Sequence, residues 1–196
     1  MPLILRRIRK ALWASLGVAV FLSPVTAWPN SEYGSFLAGQ HAEALRDTDR
    51  AASFLLRVLE ENPDDQRLLR RTFILSLAAG QMETAVSLAH RIENAGGKMS
   101  TAAMLLGVDL IRQGKYAEAQ EKFDTMPRNG LTTYAAPLAM AWAEVGLGEI
   151  DKALEALAPL DQKSGFAAMR DLHTGLINEV SGRIEAAEKA YRAISD

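Results

Sequence analysis

The stretch GKYAEA, residues 114–119, decides the fold because close variants of it return along the chain. The variants are GQMETA at 80–85, GEIDKA at 148–153 and GRIEAA at 182–187. The opening glycines of these stretches keep a constant 34-residue step, and no gap is needed to maintain it. Self-similarity at a fixed period of this length predicts an array of stacked helical repeats.

Each unit of the period reads as two short helices joined at the glycine. In residues 100–130, Leu106 and Leu110 recur at helical spacing, which predicts a first helix that ends at Gly114. Glycine adopts the left-handed conformation at low cost, so it ends a helix well. A second helix with Ala119 on its inner face follows, and this small side chain allows it to pack closely against the first.

The register extends backwards by one more period, although the glycine is lost there. That step lands on Arg46 and Ala51, so the alanine is kept. We therefore predict an all-α fold, an α-solenoid of helix-turn-helix units over residues 32–196. The five units begin at residues 32, 66, 100, 134 and 168.

The pattern of these units resembles the tetratricopeptide repeat (TPR) family, which places small residues at positions 8 and 20 and apolar residues at 24 and 27. Position 20 is alanine in every unit: Ala51, Ala85, Ala119, Ala153 and Ala187. Position 8 holds Gly39, Phe73, Gly107, Ala141 and Gly175, and position 24 holds Leu55, Ala89, Phe123, Leu157 and Tyr191. The resemblance implies a right-handed superhelix whose first helices line a concave groove that often binds ligands.

Two features depart from the pattern. Phe73 stands at a position for close packing, and Ala89 stands where a larger residue is usual. Phe73 either spreads the two helices of its unit or is accommodated by Ala89, a compensation that keeps the total core volume that packing must conserve. Pro159 falls late in a predicted second helix, and we expect that helix to stop or bend near Ala158.

The resemblance also implies which side chains face the groove, namely those at positions 2, 5, 9 and 12 of each first helix. The predicted partner-binding groove consists of Tyr33, Phe36, Arg67, Arg70, Ile74, Met104, Val108, Ile111, Leu138, Trp142, Val145, Leu172 and Leu176. It lacks the lysine at position 5 and the asparagine at position 9 of family members that grip a terminal carboxylate. A largely apolar wall predicts an amphipathic helix or an apolar peptide as the ligand, with Trp142 as an anchor.

Two other interpretations of this wall stay open. The apolar residues could be covered by a further C-terminal part of the protein, or they could simply be core between repeats. The arginines Arg67, Arg70 and Arg71 could bind an acidic partner. They could equally form a solvated helix face that is offset by the nearby carboxylates of Glu60, Glu61, Asp64 and Asp65.

Composition and motifs argue against catalysis. The net charge of −2 does not favour a nucleic-acid partner, and the absence of cysteine excludes thiolate metal sites and cysteine nucleophiles. His41, His90 and His173 fall at different positions of different units, and no zinc-protease, serine-hydrolase or phosphate-loop motif occurs. Asp109, in an apolar run, is expected to be a hydrogen-bonded helix residue. We expect no catalytic residue, metal, cofactor or small-molecule substrate.

Residues 1–27 have the pattern of a secretory signal peptide. A basic segment, RRIRK at 6–10, precedes an uncharged and mostly apolar stretch at 11–23. VTA at 25–27 then places small residues at −3 and −1 of a cleavage point before Trp28. The apolar stretch is shorter than the ~20 residues of a spanning helix, which favours cleavage over an inner-membrane anchor. We expect export to the bacterial periplasm, with residues 28–31 as a short linker.

The last predicted helix raises the question of what covers the end of the array. Its apolar residues Ala187, Tyr191 and Ile194 are expected to face outward, so we expect either a longer protein or a second subunit over this end. Two functions then compete. The chain is a non-catalytic scaffold that binds cell-envelope proteins, or it is the regulatory or targeting region of a longer enzyme or secretion component.

Overall fold

The computed structural model describes residues 31–161 and 165–194, and the predicted signal peptide at 1–27 lies outside these residues. The described residues form ten α-helices and no strand. The first helices of the five pairs are α1 (Glu32–Ala44), α3 (Gln66–Ala78), α5 (Ser100–Arg112), α7 (Thr132–Leu147) and α9 (Ala167–Val180). The second helices are α2 (Thr48–Glu61), α4 (Met82–Asn94), α6 (Tyr116–Thr125), α8 (Ile150–Ala156) and α10 (Ile184–Arg192).

Each helix packs against the next one along the chain, so the five pairs stack in sequence order. First helices of the last three pairs also meet, since α5 contacts α7 and α7 contacts α9. Three core clusters follow one another along the stack, the first built from α1 to α5, the second from α5 to α7 and the third from α7 to α9. Contact with near neighbours alone is the defining property of a solenoid, and the predicted all-α solenoid is confirmed.

The repeated glycine ends the first helix, as predicted. Gly114 has a φ of 75°, and its N–H donates to the carbonyl of Ile111 at 2.9 Å. The N–H of Lys115 donates to the carbonyl of Leu110 at 2.9 Å, which satisfies a second carbonyl at the helix end. Where the glycine is lost, Arg46 adopts the same left-handed conformation with a φ of 59°.

In three of the pairs a glycine on the first helix faces a large side chain on the second. An added Cβ at Gly39 would lie 2.9 Å from Leu55 Cδ2, and added Cβ atoms at Gly107 and Gly175 would overlap the rings of Phe123 and Tyr191. In the second pair the large residue, Phe73, is on the first helix and the small one, Ala89, is on the second. Both are fully buried in the first core cluster. That the two residues compensate for each other stays a prediction.

The second helix of the fourth pair is short. Pro159 is predicted to stop or bend this helix near Ala158. The helix, α8, ends at Ala156, before the proline. Leu157 and Leu160 nevertheless remain buried in the third core cluster, so the chain beyond the helix still covers the pair.

The expectation for the last helix is wrong for two of its three residues. Ala187 is buried, and Tyr191 packs over Gly175 while its hydroxyl donates to a Glu179 oxygen. Both residues face α9, the first helix of the same pair, because positions 20 and 24 pack within each unit. The outward side of α10 is polar instead: it carries Glu185, Glu188, Lys189 and Arg192. Ile194 is half exposed.

Polar contacts at equivalent positions tie neighbouring pairs together. The Gln81 amide donates to Asp49, and three periods further along the chain the Arg183 guanidinium donates to Asp151, each across 2.6 Å. In the part of the chain covered by 31–161 and 165–194, no helix is both long enough and apolar enough to cross a lipid bilayer.

Candidate functional site

We call the side chains at positions 2, 5, 9 and 12 of the five first helices the groove face. They differ sharply in burial from position 8, where Phe73 and Ala141 are fully buried. At position 9, one residue further along the same helices, Ile74 is 41% exposed and Val108 is 42% exposed. Ile74 and Val108 are therefore surface residues and not simple core between repeats.

Apolar side chains of the groove face recur along the stack. Ile74, Val108 and Leu172 are exposed to about the same degree, with 40% for Leu172. The half-buried members pack with one side against the core clusters: Phe36, Met104, Ile111, Leu138, Trp142 and Val145. Leu176 is also half-buried. The assignment of these residues to a partner stays a prediction, but they are partly exposed apolar side chains on all five first helices.

The N-terminal end of the groove face contains a cleft of about 410 Å³ between α1, the end of α2 and α3. Tyr33 and Phe36 line it from α1, while Arg67, Leu68 and Arg71 line it from α3. Tyr33 is 79% exposed, which is unusual for an aromatic ring and makes it available for contact.

The arginines around this cleft are not equivalent. Arg71 is held by Glu43, since its Nε donates to Glu43 Oε2 at 3.1 Å. Arg67 and Arg70 are exposed, and neither forms a side-chain hydrogen bond or an ion pair with another described residue. The predicted offset by Glu60, Glu61, Asp64 and Asp65 contains no direct ion pair to these two arginines, but the charge of Arg67 contributes to the lowered pKa of Asp65.

Two carboxylates, Glu32 and Asp65, also line this cleft, and each accepts hydrogen bonds from other groups of the protein. Asp65 accepts the backbone N–H groups of Arg67 at 2.9 Å and Leu68 at 3.0 Å, and so caps α3. The Leu68 N–H, with a smaller contribution from Arg67, holds the pKa of Asp65 below its usual value, against the opposing effect of burial. Glu32 accepts the Asn62 amide at 2.8 Å.

Trp142 is fixed by His173, one of the three histidines that the repeat register does not bring together. The Trp142 indole Nε1–H donates to His173 Nδ1 at 2.9 Å, which joins the fourth pair to the fifth. Burial lowers the pKa of His173, so the neutral form that can accept this bond is favoured. Position 6 of one unit meets positions 9 and 12 of the unit before it, as Arg71 and Glu43 also show, and this offset appears only in the packing of the units.

The other titratable groups set apart by the sequence are not brought together. Asp109 accepts hydrogen bonds from Arg112 at 2.9 Å and Gln113 at 2.6 Å, as expected for a helix residue. Its pKa is lowered, chiefly by the Arg112 bond and in spite of burial. Across the described ranges no three histidine or carboxylate side chains converge on a point where a metal could bind.

Comparison with known proteins places the fold. No family model and no curated protein matches the sequence. Among solved structures, MamA matches with a TM-score of 0.64 and 19% identity over 84% of this chain and 89% of that one. The 41-end form of MamA from Desulfovibrio magneticus RS-1 matches with a TM-score of 0.61 and 15% identity, over 84% and 93% of the two chains.

YrrB, a TPR protein, matches over 82% of this chain and 83% of its own, with a TM-score of 0.61 and 14% identity. At identities this low, the structural matches establish the fold alone. Together with the five helix pairs and their 34-residue period, they show that this chain has the fold of the tetratricopeptide repeat family.

Proposed function

We propose that this protein is a non-catalytic scaffold whose groove face binds an apolar or amphipathic segment of a protein partner. The observation that carries the proposal is the set of partly exposed apolar side chains on the first helices, with Ile74 and Val108 at position 9 and Leu172 at position 5 each about two-fifths exposed. Contact between apolar side chains and water is unfavourable, so the free energy falls when a partner covers them.

The shape of the surface fits a linear ligand. These side chains lie along the stack, one or two residues from each repeat, so a helix or an extended strand can contact several repeats at once. YrrB, which has the same fold, is a TPR protein with an unusual peptide-binding site. Peptide binding by a protein of this fold supports the same mode of use for the groove face here.

Trp142 is suited to anchor the ligand because its ring is already held in place. The bond to His173 and packing against the third core cluster restrict its rotation before any partner arrives. A side chain that is ordered in advance loses little conformational entropy on binding, so more of its contact energy contributes to affinity.

The proposal is tested by photo-crosslinking in cells with a photoreactive amino acid at single positions. We expect adducts with a partner from positions 108 and 172 on the groove face. We expect none from Glu121 or Glu188, which are exposed on the second helices and lie outside the groove face. Adducts of equal yield from both sets would contradict the proposal.

Charged substitutions then check that the crosslinks report binding. Val108→Glu and Leu172→Glu are preferred to changes at Leu138, which packs against the core and would disturb the fold. Each is expected to abolish capture and leave the melting temperature within a few degrees. Leu131→Glu is the matched control, because Leu131 is 77% exposed and lies outside the groove face.

We further propose that the scaffold works in the bacterial periplasm on cell-envelope partners. The support is the basic segment, the apolar stretch and the small residues before Trp28, all of which lie within the sequence alone. The intact mass of the protein from a periplasmic fraction is expected to correspond to a chain that begins at Trp28. A full-length mass in the cytoplasm would overturn this part.

A further inference from the structure

The groove face carries very little charge, and its cations lie at one end. At positions 2, 5 and 9 of the five first helices, Arg67 and Arg70 are the only charged side chains. Position 12 adds two carboxylates, Glu43 and Glu179. The remaining positions are apolar or neutral, so Arg67 and Arg70 are the only cations at these positions.

The two carboxylates are already bound within the protein. Glu43 accepts from Arg71, and Glu179 accepts from the hydroxyl of Tyr191. Asp65, the carboxylate beside Arg67, is taken up by two backbone N–H groups at the start of α3. Arg67 and Arg70 therefore remain as cations whose guanidinium groups have no carboxylate hydrogen-bonded to them among the described residues.

The same end presents aromatic surface beside these cations. Tyr33, 79% exposed, and Phe36 line the cleft of about 410 Å³ that Arg67 also lines. Arg70 follows Arg67 by three residues and precedes Ile74 by four, so it lies one helical turn from each on the same side of α3. The basic end thus continues directly into the apolar part of the groove face.

We propose that Arg67 and Arg70 bind the side-chain carboxylate of an aspartate or glutamate in the partner segment, next to an apolar side chain that fills the Tyr33–Phe36 cleft. This inference rests on the proposed function and assigns the chemistry of the ligand: acidic at one end and apolar along the rest. Arginine suits the role because its planar guanidinium donates two parallel hydrogen bonds to one carboxylate.

A side-chain carboxylate fits better than the carboxylate at a chain terminus. The groove face continues on both sides of Arg70, towards Phe36 in the first pair and Met104 in the third, so a ligand can pass through. At position 9, Ile74 and Val108 are apolar and offer no donor to a terminal peptide group, while the exposed Gln40 of the first pair carries a single amide. An internal acidic residue needs no such donor.

The test begins with selection from a phage library of random dodecapeptides, displayed without a free C-terminus, on the immobilised purified chain. We expect enriched peptides to carry aspartate or glutamate next to aromatic or aliphatic residues. Selection on the Arg67→Gln/Arg70→Gln double variant is expected to lose the acidic preference and keep the apolar one. Arg50→Gln is the control, since Arg50 is an exposed arginine on the second helix α2.

The leading peptide is then labelled with fluorescein. Its dissociation constant is measured for the unmodified peptide, for the peptide with its acidic residue changed to the amide, and for the peptide with an amidated C-terminus. Changing its acidic residue to the amide is expected to weaken binding about fivefold, the effect of one partly exposed charge pair. The same change is expected to have no effect on binding to the double variant, because that variant already lacks the arginines that contact the peptide carboxylate. Amidation of the peptide C-terminus is expected to leave the constant unchanged.

The outcomes separate the two proposals. Apolar peptides without acidic residues would overturn the role of the arginines and leave the scaffold function standing. Loss of binding on C-terminal amidation would overturn the side-chain assignment in favour of a terminal carboxylate. If no peptide is enriched, or if Val108→Glu leaves the selected set unchanged, both the inference and the proposed groove are wrong.

Discussion

Trp142 donates its indole N–H to Nδ1 of His173 across 2.9 Å, and this bond spans the junction between the fourth and fifth helix pairs. The rings meet edge to face at a centroid distance of 6.1 Å. Nδ1 accepts only when it carries no proton, so the junction depends on neutral His173.

Acidification is therefore expected to loosen this junction. Burial puts the pKa of His173 in the folded protein below 6.5, its ordinary value, so the unfolded chain takes up the proton first as pH falls. The stability that comes from neutral His173 is fully present above the unfolded pKa and is lost as pH falls from there through the folded pKa. Thermal unfolding between about pH 7.5 and 5 measures this loss.

The control for that experiment is His173→Asn, which keeps an acceptor but does not titrate in this range. We expect the variant to unfold with a weaker pH dependence than the natural protein over the same interval. The fluorescence of Trp142 provides a second readout, because it should change with pH in the natural protein and not in the variant. Equal pH profiles for both proteins would show that the pair does not contribute.

The exchange of sizes between Phe73 and Ala89 predicts a strong double-mutant coupling. Phe73→Gly alone is expected to cost about 4 kcal/mol, since it removes a fully buried ring and leaves a cavity. Ala89→Phe alone is expected to cost about 1–3 kcal/mol by overpacking. Together they reproduce the Gly107–Phe123 arrangement of the third pair, so the double variant should be more stable than the sum predicts by about 2 kcal/mol. Urea unfolding measures all three.

Arg46 holds the left-handed turn that glycine holds in the other units. A non-glycine residue in this conformation costs about 1–2 kcal/mol, so Arg46→Gly is expected to raise the free energy of unfolding by about 0.5–1 kcal/mol after the greater freedom of glycine in the unfolded chain is counted. Gly114→Ala is the mirror experiment. An added Cβ there would meet no atom within 4 Å, so any loss of stability reports the backbone alone.

Two hydroxyl groups in α3 are buried without partners. Thr72 Oγ1 and Ser76 Oγ are inaccessible to solvent and form no hydrogen bond with any described residue. Burial of an unpaired hydroxyl costs about 1–3 kcal/mol, so Thr72→Val and Ser76→Ala are expected to be neutral or to raise the melting temperature. Calorimetry of each variant decides this, and a loss of more than about 1 kcal/mol would mean that the hydroxyls do find a partner.

The glycine turns and the alanine column were predictable because both depend on local rules. The residue that ends each of these first helices must adopt the left-handed conformation, and glycine does so at the lowest cost, so Gly114 marks its turn without knowledge of any neighbour. A 34-residue period repeated without gaps then determines the number and order of the helix pairs. The composition of the groove face follows from that register.

The pairs that form between repeats were decided by the tertiary structure alone. Comparison in phase shows which residues are equivalent, but it does not show which residues meet, because stacked helices are offset by less than one period. Trp142 meets His173 at a separation of 31 residues, and Arg71 meets Glu43 at 28. The sequence predicts that Ala187 and Tyr191 face outward from α10. They are instead covered within their own pair, a contact that only the packing reveals. Periodicity specifies each unit, and the packing offset between units specifies the surface that they share.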